Sequence, residues 1–579
     1  MEDRIYQQYQ EWLKNATEDS DLTEELLRIE KNEEEIYDRF YRELEFGTGG
    51  LRGVIGAGEN RMNIYTVRRA TQGLADYLLS QGPCAAVALS YDSRIKSDLF
   101  AKEAARVLAG NGIRAYLYPC LEPTPVLSYA VRALRCQAGI MITASHNPSK
   151  YNGYKCYGAD GCQMTDHDAG VVTDHIRRVD IFGGVKVASY EDAVAAGQIR
   201  LIGDDVVKAF LSEVEKQQVT PGICRQIPLH VIYTPLNGTG NRPVREILDR
   251  IGVHVQVVPE QELPDGHFPT CPYPNPEIRQ VFEKALDMAK ETQPDLLLAT
   301  DPDCDRVGIA VRDNGKYTLM SGNEVGCLLL NYLLSRRLAE NTLPDQPMIV
   351  KTIVTSDLAA RIAQKYGCRV VEVLTGFKYI GEQIGLLEKE GYPERYVFGF
   401  EESYGYLAGT YVRDKDAVVA SMLICEMTAY YLSQGKTLLQ VLESLYQEHG
   451  YFRHTQLNKA FEGAKGMEDM QQLMNSLRTT PPTVIAGKKV IRFADYLTSQ
   501  VTDRITGAVQ PISLPKSNVL SFGLEGGAGF IVRPSGTEPK VKAYLTAVSE
   551  SDSVNGKQEA EELMKRLQEE GDRLLTVTK

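Results

Sequence analysis

A serine with two candidate proton carriers stands in the segment Thr143-Ala144-Ser145-His146-Asn147-Pro148. It follows a short apolar run that predicts a buried strand, and open α/β sheets place their ligand chemistry at the carboxyl ends of strands. His146 is adjacent and Lys155 lies ten residues further on, so a hydroxyl nucleophile would have both groups within reach. An ordinary strand-to-turn exit with a capping serine is the alternative interpretation.

Three aspartates, Asp301, Asp303 and Asp305, follow a second apolar run. In an extended segment their carboxylates would project to one side, and three such anions repel unless a cation neutralises them. A set of oxygen ligands suits Mg²⁺. A calcium EF-hand is excluded because Arg306 and Arg312 stand where that loop needs glycine and glutamate, whereas a solvated acidic turn stays open.

A third buried run leads into Glu401-Glu402-Ser403. The carboxylate of Glu401 and the hydroxyl of Ser403 could bind neighbouring hydroxyls of a sugar, although a solvated loop would look the same. Two segments supply cations near this sheet edge. They are Thr375-Gly376-Phe377-Lys378 and Arg413-Asp414-Lys415-Asp416.

Two further loops carry arginine. In Arg533-Pro534-Ser535-Gly536-Thr537 the guanidinium could fork onto phosphate, the hydroxyls could donate, and glycine would let backbone N–H groups approach; a hairpin turn is the alternative. Arg52 stands in a glycine-rich stretch, residues 47–53, that lacks the Gly-Lys-Ser/Thr ending of a P-loop and follows no clear strand. We therefore reject nucleotide binding there and leave a flexible hinge open.

The chain has 579 residues, a formal net charge of −13, and 43% hydrophobic and 24% charged residues. This composition is typical of globular domains, and the negative charge argues against nucleic acid as a partner. No segment approaches the ~18 apolar residues of a membrane helix. The N-terminus lacks a secretory pattern, and the eleven cysteines form no CxxC pair. We expect a cytoplasmic protein without a membrane partner.

Predicted strands and helices alternate in three successive rounds, and each round ends in one of the polar loops described above. Such alternation predicts parallel sheets with crossover helices, so the fold class is α/β. We expect three similar doubly wound, mixed α/β domains and a smaller C-terminal α+β domain. The expected limits are a helical extension at 1–45 without visible chemistry, domains at 46–205, 206–325 and 326–460, and the last domain at 461–579.

The basic side chains of the special loops resolve the conflict between an acidic chain and an anionic substrate, because they can line a locally positive pocket. They are Arg52, His146, Lys155, Arg306, Lys378, Lys415, Arg533 and Lys540. A serine, a Mg²⁺ site, a sugar loop and a phosphate clamp together indicate phosphoryl transfer on a phosphorylated sugar.

With these residues in view, residues 40–550 resemble the α-D-phosphohexomutase family, whose four motifs occur here in the family's order. The resemblance implies a heart-shaped enzyme of four domains around one central cleft. It implies that Ser145 carries a phosphoryl group and binds Mg²⁺ with Asp301, Asp303 and Asp305. Arg52 and Arg306 would steady the transferring group, and His146 and Lys155 would be the acid/base candidates.

The substrate would be held by two sets of residues. Glu401 and Ser403, helped by Thr375, Gly376, Lys378 and Lys415, would contact the sugar, and Arg533, Ser535, Gly536 and Thr537 would grip the phosphate that does not react. The implied reaction interconverts α-D-glucose 1-phosphate and D-glucose 6-phosphate through glucose 1,6-bisphosphate. Phe400 stands where many relatives have glycine. The segment Phe-Glu-Glu-Ser-Tyr-Gly-Tyr at 400–406 resembles a bacterial phosphoglucomutase subgroup related to enzymes that also use pentose phosphates. Mannose and pentose phosphates therefore stay open as substrates.

Two other classes of protein could use part of this residue set. A metal-dependent sugar phosphatase could use Ser145 or Asp301 as nucleophile, but it would not need a separate phosphate clamp far along the chain. A non-catalytic sugar-phosphate-binding protein would not need the intact Ser145, Lys155 and three aspartates. The sequence does not predict the oligomeric state.

Overall fold

The computed structural model describes residues 3–47, 49–83, 85–461, 465–535, 540–549 and 555–576. Three helices precede the first sheet, namely α1 (Asp3–Asn15), α2 (Ser20–Ile29) and α3 (Glu33–Phe40). They pack through Trp12, which is buried and makes edge contacts with Phe40, Tyr65 and Phe182. The predicted helical extension is therefore docked on the body of the protein.

The first sheet has the strand order β1-β5-β4-β2-β3-β6, with β2, β3, β4 and β6 parallel and β1 and β5 antiparallel to their neighbours. Its strands are β1 (Gly50–Val54), β2 (Ala86–Tyr91), β3 (Arg114–Leu117), β4 (Ala138–Ile142), β5 (Tyr151–Gly158) and β6 (Ile199–Leu201). Its helices are α4 (Ile64–Gln81), α5 (Ser97–Gly110), α6 (Thr124–Ala133), α7 (Asp166–Arg177), α8 (Tyr190–Ala195) and α9 (Asp204–Glu215).

The second sheet has the order β11-β10-β9-β7-β8, in which β8, β7 and β9 are parallel and β10 and β11 antiparallel. Its strands are β7 (Val231–Thr234), β8 (Val255–Val257), β9 (Leu296–Thr300), β10 (Val307–Asp313) and β11 (Lys316–Met320). The accompanying helices are α10 (Ile223–Gln226), α11 (Asn241–Ile251), α12 (Pro259–Glu262), α13 (Glu283–Thr292) and α14 (Gly322–Ala339).

The third sheet has the order β13-β12-β14-β15, and only β15 is antiparallel to its neighbour. Its strands are β12 (Met348–Thr352), β13 (Arg369–Val373), β14 (Tyr396–Glu401) and β15 (Gly405–Ala408). Its helices are α15 (Leu358–Lys365), α16 (Phe377–Glu390), α17 (Ala417–Ser433) and α18 (Leu438–His449). Helix α17 is buried along nearly all its length, which explains its apolar sequence.

The fourth sheet is antiparallel, in the order β16-β23-β22-β21-β18-β19-β20, with β17 paired to β18. Its strands are β16 (Phe452–Ala460), β17 (Val484–Ile485), β18 (Lys488–Asp495), β19 (Gln500–Asp503), β20 (Val509–Pro511), β21 (Leu520–Leu524), β22 (Gly529–Pro534) and β23 (Lys540–Val548). Helices α19 (Gly466–Thr479) and α20 (Gly556–Leu574) pack on it.

One connection recurs in the first three sheets: a buried parallel strand turns sharply into an antiparallel neighbour. These turns join β4 to β5, β9 to β10 and β14 to β15. Each contains a non-glycine residue in the left-handed backbone region, and these are Ser145 (φ 51°), Cys304 (φ 52°) and Tyr404 (φ 65°). The serine, aspartate and sugar motifs thus occupy equivalent positions in three similar sheets.

The predicted α/β class with a different C-terminal unit is confirmed, and three local expectations are corrected. The aspartate triplet is a compact turn and not an extended segment, because Asp301 accepts hydrogen bonds from the backbone beyond it. Part of the supposed hinge at 47–53 is strand β1, paired with β5. Strand β16, assigned to the third domain from sequence, is hydrogen-bonded into the fourth sheet; the other domain limits stay predictions.

Candidate active site

Ser145 lies at the carboxyl end of β4, in a turn that buries its side chain. Its hydroxyl donates to Asp301 Oδ2 at 2.7 Å and lies 3.0 Å from Nδ1 of His146. The backbone N–H of Ser145 donates to Thr143 Oγ1 at 2.8 Å. The serine of the first sheet therefore directly touches the first aspartate of the second sheet.

The three aspartates form one buried cluster. One ligand oxygen from each of Asp301, Asp303 and Asp305 lies within 4.8 Å of the others. The cluster is shaped by the backbone, since the N–H groups of Asp305 and Arg306 donate to Asp301 Oδ1 at 3.1 and 2.9 Å. Thr124, at the start of α6, donates its hydroxyl to Asp303 Oδ2 at 3.0 Å.

These residues fit a divalent metal ion. Asp303 Oδ1 and Asp305 Oδ1 are buried and receive no hydrogen bond from the residues that the structure describes, whereas buried carboxylate oxygens normally have a partner. Hard divalent cations take oxygen ligands of this kind. The cluster is accordingly a candidate metal site with unsatisfied oxygen donors.

Two lysines contact the same cluster. Lys155 on β5 places Nζ 2.8 Å from Asp303 Oδ2 and 3.4 Å from Asp305 Oδ2. Lys415 places Nζ 2.8 Å from Asp305 Oδ2. Burial disfavours the charge on Lys155, but Asp303 and Asp305 outweigh burial and raise its pKa.

The aspartates respond in opposite ways to this environment. Burial, reinforced by the charges of Asp305 and Asp303, raises the pKa of Asp301. For Asp303 burial acts in the same upward direction, but the contact with Lys155 prevails and lowers its pKa. Unequal carboxyl groups packed together are typical of functional sites.

His146 and Arg52 stand beside the serine turn. Burial lowers the pKa of His146, and the charges of Arg306 and Arg52 add to that effect, which favours the neutral imidazole. Arg52 projects from the exposed face of β1 and its Nη1 lies 3.5 Å from Oδ1 of Asn147. The structure thus brings both predicted residues to the serine.

Arg306 links the aspartate turn to the turn at residues 401–404, which joins β14 to β15. Its Nη1 donates to the carbonyl of Ser403 at 2.7 Å and to Glu277 Oε1 at 3.2 Å. Glu401 is buried and accepts from the backbone N–H of Gly376 at 2.9 Å. Burial, with the neighbouring charge of Glu401, raises the pKa of Glu402 to about 7.

Lys378 makes a contact that the sequence did not predict. Its Nζ donates to Asp166 Oδ1 at 2.6 Å, and the hydroxyl of Tyr379 donates to Oδ2 of the same carboxylate at 2.9 Å. Asp166 begins α7 in the first unit, whereas Lys378 lies in α16 of the third. The residues Thr375, Gly376 and Lys378 lie together at the start of α16.

Arg533 stands at the end of β22 in the fourth sheet, opposite Lys542 of β23. Burial and Asp166 raise the pKa of Tyr379, and the positive charge of Arg533 opposes that rise. The backbone N–H of Ser535 donates to the carbonyl of Lys540 at 2.8 Å. The predicted residues Gly536 and Thr537 lie outside the described residues.

Several residues of this site were missed from sequence. Asp92, Arg94 and Thr124 follow the carboxyl ends of β2 and β3, so the strand-end rule that singled out Ser145 could have identified them. Asp166 and Glu277 gave no such signal, because each reaches the site from a loop or helix start in another part of the chain.

Comparison with known proteins gives a consistent result. Residues 43–180, 208–315 and 321–449 match the alpha/beta/alpha domains I, II and III of phosphoglucomutase/phosphomannomutase. A Staphylococcus haemolyticus protein named phosphoglucomutase is 38% identical over 510 residues, covering 88% of this chain and 91% of its own. A Staphylococcus saprophyticus phosphoglucomutase is 36% identical over 541 residues, covering 92% and 95%.

Solved structures share the fold. The exocytosis-sensitive phosphoprotein pp63/parafusin from Paramecium, a phosphoglucomutase in an open form, superposes with a TM-score of 0.68 at 17% identity and covers 92% of this chain and 96% of its own. Within the described residues, no helix has both the length and the apolar character needed to cross a membrane.

Proposed function

This chain belongs to the phosphoglucomutase/phosphomannomutase family, and we propose on that premise that it interconverts α-D-glucose 1-phosphate and D-glucose 6-phosphate through glucose 1,6-bisphosphate. The observation that carries the proposal is the 2.7 Å contact between the Ser145 hydroxyl and a buried cluster of three aspartates. A nucleophilic oxygen beside a candidate metal site is what phosphoryl transfer requires.

Asp301, Asp303 and Asp305, together with an oxygen on Ser145, would hold Mg²⁺. When bound, the ion would stabilise the charge of the transferring phosphoryl group. The buried Oδ1 atoms of Asp303 and Asp305, which accept no hydrogen bond within the described chain, support this assignment. Lys155, Lys415 and Arg306 surround the cluster and supply positive charge that does not depend on the ion.

Phosphoryl transfer would proceed in two halves. A sugar hydroxyl attacks the phosphorus on phosphorylated Ser145, so the bond from phosphorus to Ser145 Oγ breaks as the bond to the sugar oxygen forms. The hydroxyl proton passes to a base and the departing Oγ of Ser145 takes up a proton, with His146 in the turn and Lys155 on β5 as the acid/base candidates. In the second half, Ser145 Oγ gives up its proton and takes the other phosphoryl group from the bisphosphate, and the sugar oxygen that is released takes up a proton to become a hydroxyl.

Two sets of residues would orient the sugar in either pose. Glu401 and Ser403 would bind its hydroxyls, helped by Thr375, Gly376, Lys378 and Lys415. Arg533, Ser535, Gly536 and Thr537 would bind the phosphate that does not react, with Arg52 and Arg306 on the transferring one.

Substitution of the serine tests the proposal. Ser145→Ala should reduce mutase turnover to background and leave the melting temperature nearly unchanged, because one hydroxyl is lost. Ser421→Ala is the matched control, since Ser421 is also buried but lies on α17, where its hydroxyl makes no hydrogen bond to any described residue. Appreciable turnover by Ser145→Ala would contradict the assignment.

Initial rates on glucose, mannose and ribose 1-phosphates define the sugar. We expect the glucose phosphate to be preferred, whereas a higher kcat/KM for mannose or ribose 1-phosphate would make the chain a phosphomannomutase or phosphopentomutase. Release of free phosphate as fast as isomerisation would instead indicate a phosphatase. A cytoplasmic location stays a prediction from the sequence.

A further inference from the structure

We propose that Arg94, held by Asp92, is a positioning residue that keeps the Ser145 turn in its reactive conformation. The inference goes beyond the proposed reaction, on which it rests, because none of the four motifs contains either residue. Both follow β2, whose carboxyl end lies beside that of β4 in the first sheet.

Arg94 is fully buried, and its guanidinium is directed at the carbonyl groups of the serine turn. Nη1 donates to the carbonyls of Pro148 and Tyr151 at 2.9 and 3.1 Å. Nη2 donates to the carbonyls of Ser145 and Asn147. One side chain therefore ties together four carbonyl groups that span the whole turn.

Asp92 fixes this guanidinium and the other side of the turn. Its Oδ2 lies 3.3 Å from Nε of Arg94 and accepts from the hydroxyl of Thr143 at 2.6 Å. Thr143 Oγ1 accepts in turn from the backbone N–H of Ser145. The Ser145 backbone is thus held at its N–H through Thr143 and at its carbonyl through Arg94.

Ser145 needs this support because its φ of 51° lies in the left-handed region of backbone conformation. A residue with a Cβ adopts that conformation only at a cost in free energy. The carbonyl groups of such a turn also point away from the regular sheet ladder and need buried donors. A guanidinium, with several donors in a fixed plane, can serve four carbonyls at once, whereas a lysine ammonium cannot match that geometry.

Arg94 acts through the turn and not on the sugar. Within the described residues, its guanidinium donates hydrogen bonds to main-chain carbonyls alone, and it lies 5.1 Å from the centroid of the Phe268 ring. Removing its donors should misplace the Ser145 hydroxyl while leaving the sugar-binding and phosphate-binding residues intact. The expected signature is a loss of kcat without a matching change in KM.

The experiment compares Arg94→Lys with Arg68→Lys, measuring kcat and KM for glucose 1-phosphate, the rate of Ser145 phosphorylation by glucose 1,6-bisphosphate, and the melting temperature. Arg68, on α4, is a suitable control because it is buried and its ion-pair partners, Glu18 and Glu103, lie outside the serine turn. For Arg94→Lys we expect kcat to fall at least ~10-fold, toward the roughly 100-fold that a misplacement of about 1 Å costs. KM should stay within about twofold, and phosphorylation should slow with kcat.

An Arg94→Lys enzyme that loses stability like the control but keeps its kcat would overturn the proposal, as would a change confined to KM. If Arg94→Lys does not fold, Thr143→Val and Thr143→Ser decide, because only the serine variant keeps the hydroxyl that links Asp92 to Ser145. The proposal requires Thr143→Ser to keep a much higher kcat than Thr143→Val, and equal rates reject it. An inactive wild-type chain would instead refute the proposed function itself.

Discussion

At the residue scale, the chemistry is concentrated where charged groups of opposite sign are buried together. Asp301, Asp303 and Asp305 would repel one another in a buried site, and Lys155, Lys415 and Arg306 supply compensating positive charge. Within the described part of the chain, however, Asp303 Oδ1 and Asp305 Oδ1 receive no hydrogen bond. These unsatisfied buried oxygens are the physical reason for expecting a cation at this position.

Asp303→Asn tests that expectation. Replacing the carboxylate with an amide keeps the shape of the side chain but removes one charge from the cluster, so the affinity for Mg²⁺ should fall by at least ~10-fold, the lower end of what even outer-shell changes cost. Titration of mutase activity with Mg²⁺ and direct calorimetry would measure the effect. Asp313→Asn, at the opposite end of β10, is the control, and equal affinities for the two variants would argue against a metal at the cluster.

The residues of the motifs were accessible from sequence because each is a cluster of unusual types after an apolar strand. The spatial arrangement of these residues could not be predicted from sequence. Alternation along a strand suggested that the aspartates share one side, whereas the structure brings them together by a turn with Cys304 at φ 52°. The pairing of Lys378 with Asp166 depends on packing between segments 212 residues apart, and no local pattern encodes it.

At the element scale, three equivalent strand-to-strand turns carry the serine, aspartate and sugar motifs. The strands themselves were predictable because β4, β9 and β14 are fully buried and mostly apolar, as parallel strands covered on both faces are. The antiparallel strands β1 and β5 could not be predicted in the same way, because they are rich in glycine and polar residues. Their sequence is explained by close packing against the turn that they support.

Gly153 on β5 shows how tight this packing is. A Cβ at Gly153 would lie 2.5 Å from the carbonyl oxygen of Thr143 and 2.9 Å from that of Leu51. We expect Gly153→Ala to displace the serine turn, to lower stability by about 1–3 kcal/mol and to lower kcat. Denaturant unfolding and initial rates would measure both effects.

Gly170→Ala is the control for that substitution. Gly170 lies in α7 and a Cβ there would meet no atom within 4 Å, so alanine should stabilise the helix by roughly 0.5–1 kcal/mol. If Gly153→Ala is as active and as stable as Gly170→Ala, the close packing of β5 under the serine turn is not required.

At the scale of the whole molecule, the site depends on contacts between units. Ser145 of the first unit meets Asp301 of the second, and Lys378 of the third meets Asp166 of the first. The first and second units are also joined by Glu122 and Arg242, whose side chains lie 2.6 Å apart. The similarity of three sheets predicted the number of units, but contacts between them could not be derived from periodicity.

The Glu122 contact predicts a dependence of stability on pH. Burial raises the pKa of Glu122 from 4.5 to about 7, and Arg242 offsets only part of the rise. Between these two pH values the folded state therefore holds a proton that the unfolded state has released, and the free energy of unfolding falls as the pH rises from about 4.5 through 7. Glu122→Gln should make this fall smaller by up to about 3 kcal/mol.

Denaturant unfolding across this pH range is the measurement. Glu262→Gln, at the partly exposed end of α12 and paired with Arg245, should keep the pH dependence of the parent chain. A parallel loss of stability with pH in the parent and in Glu122→Gln would mean that Glu122 is ionised in the folded protein throughout.

The central claim is that Ser145 gives and receives the phosphoryl group. Incubation with glucose 1,6-bisphosphate labelled in its phosphate oxygens, followed by mass spectrometry of the peptide that contains Ser145, tests it directly. The account predicts labelled phosphate on Ser145 that returns to sugar phosphate when unlabelled glucose 6-phosphate is added. Isomerisation at full rate with no label ever found on Ser145 would contradict it.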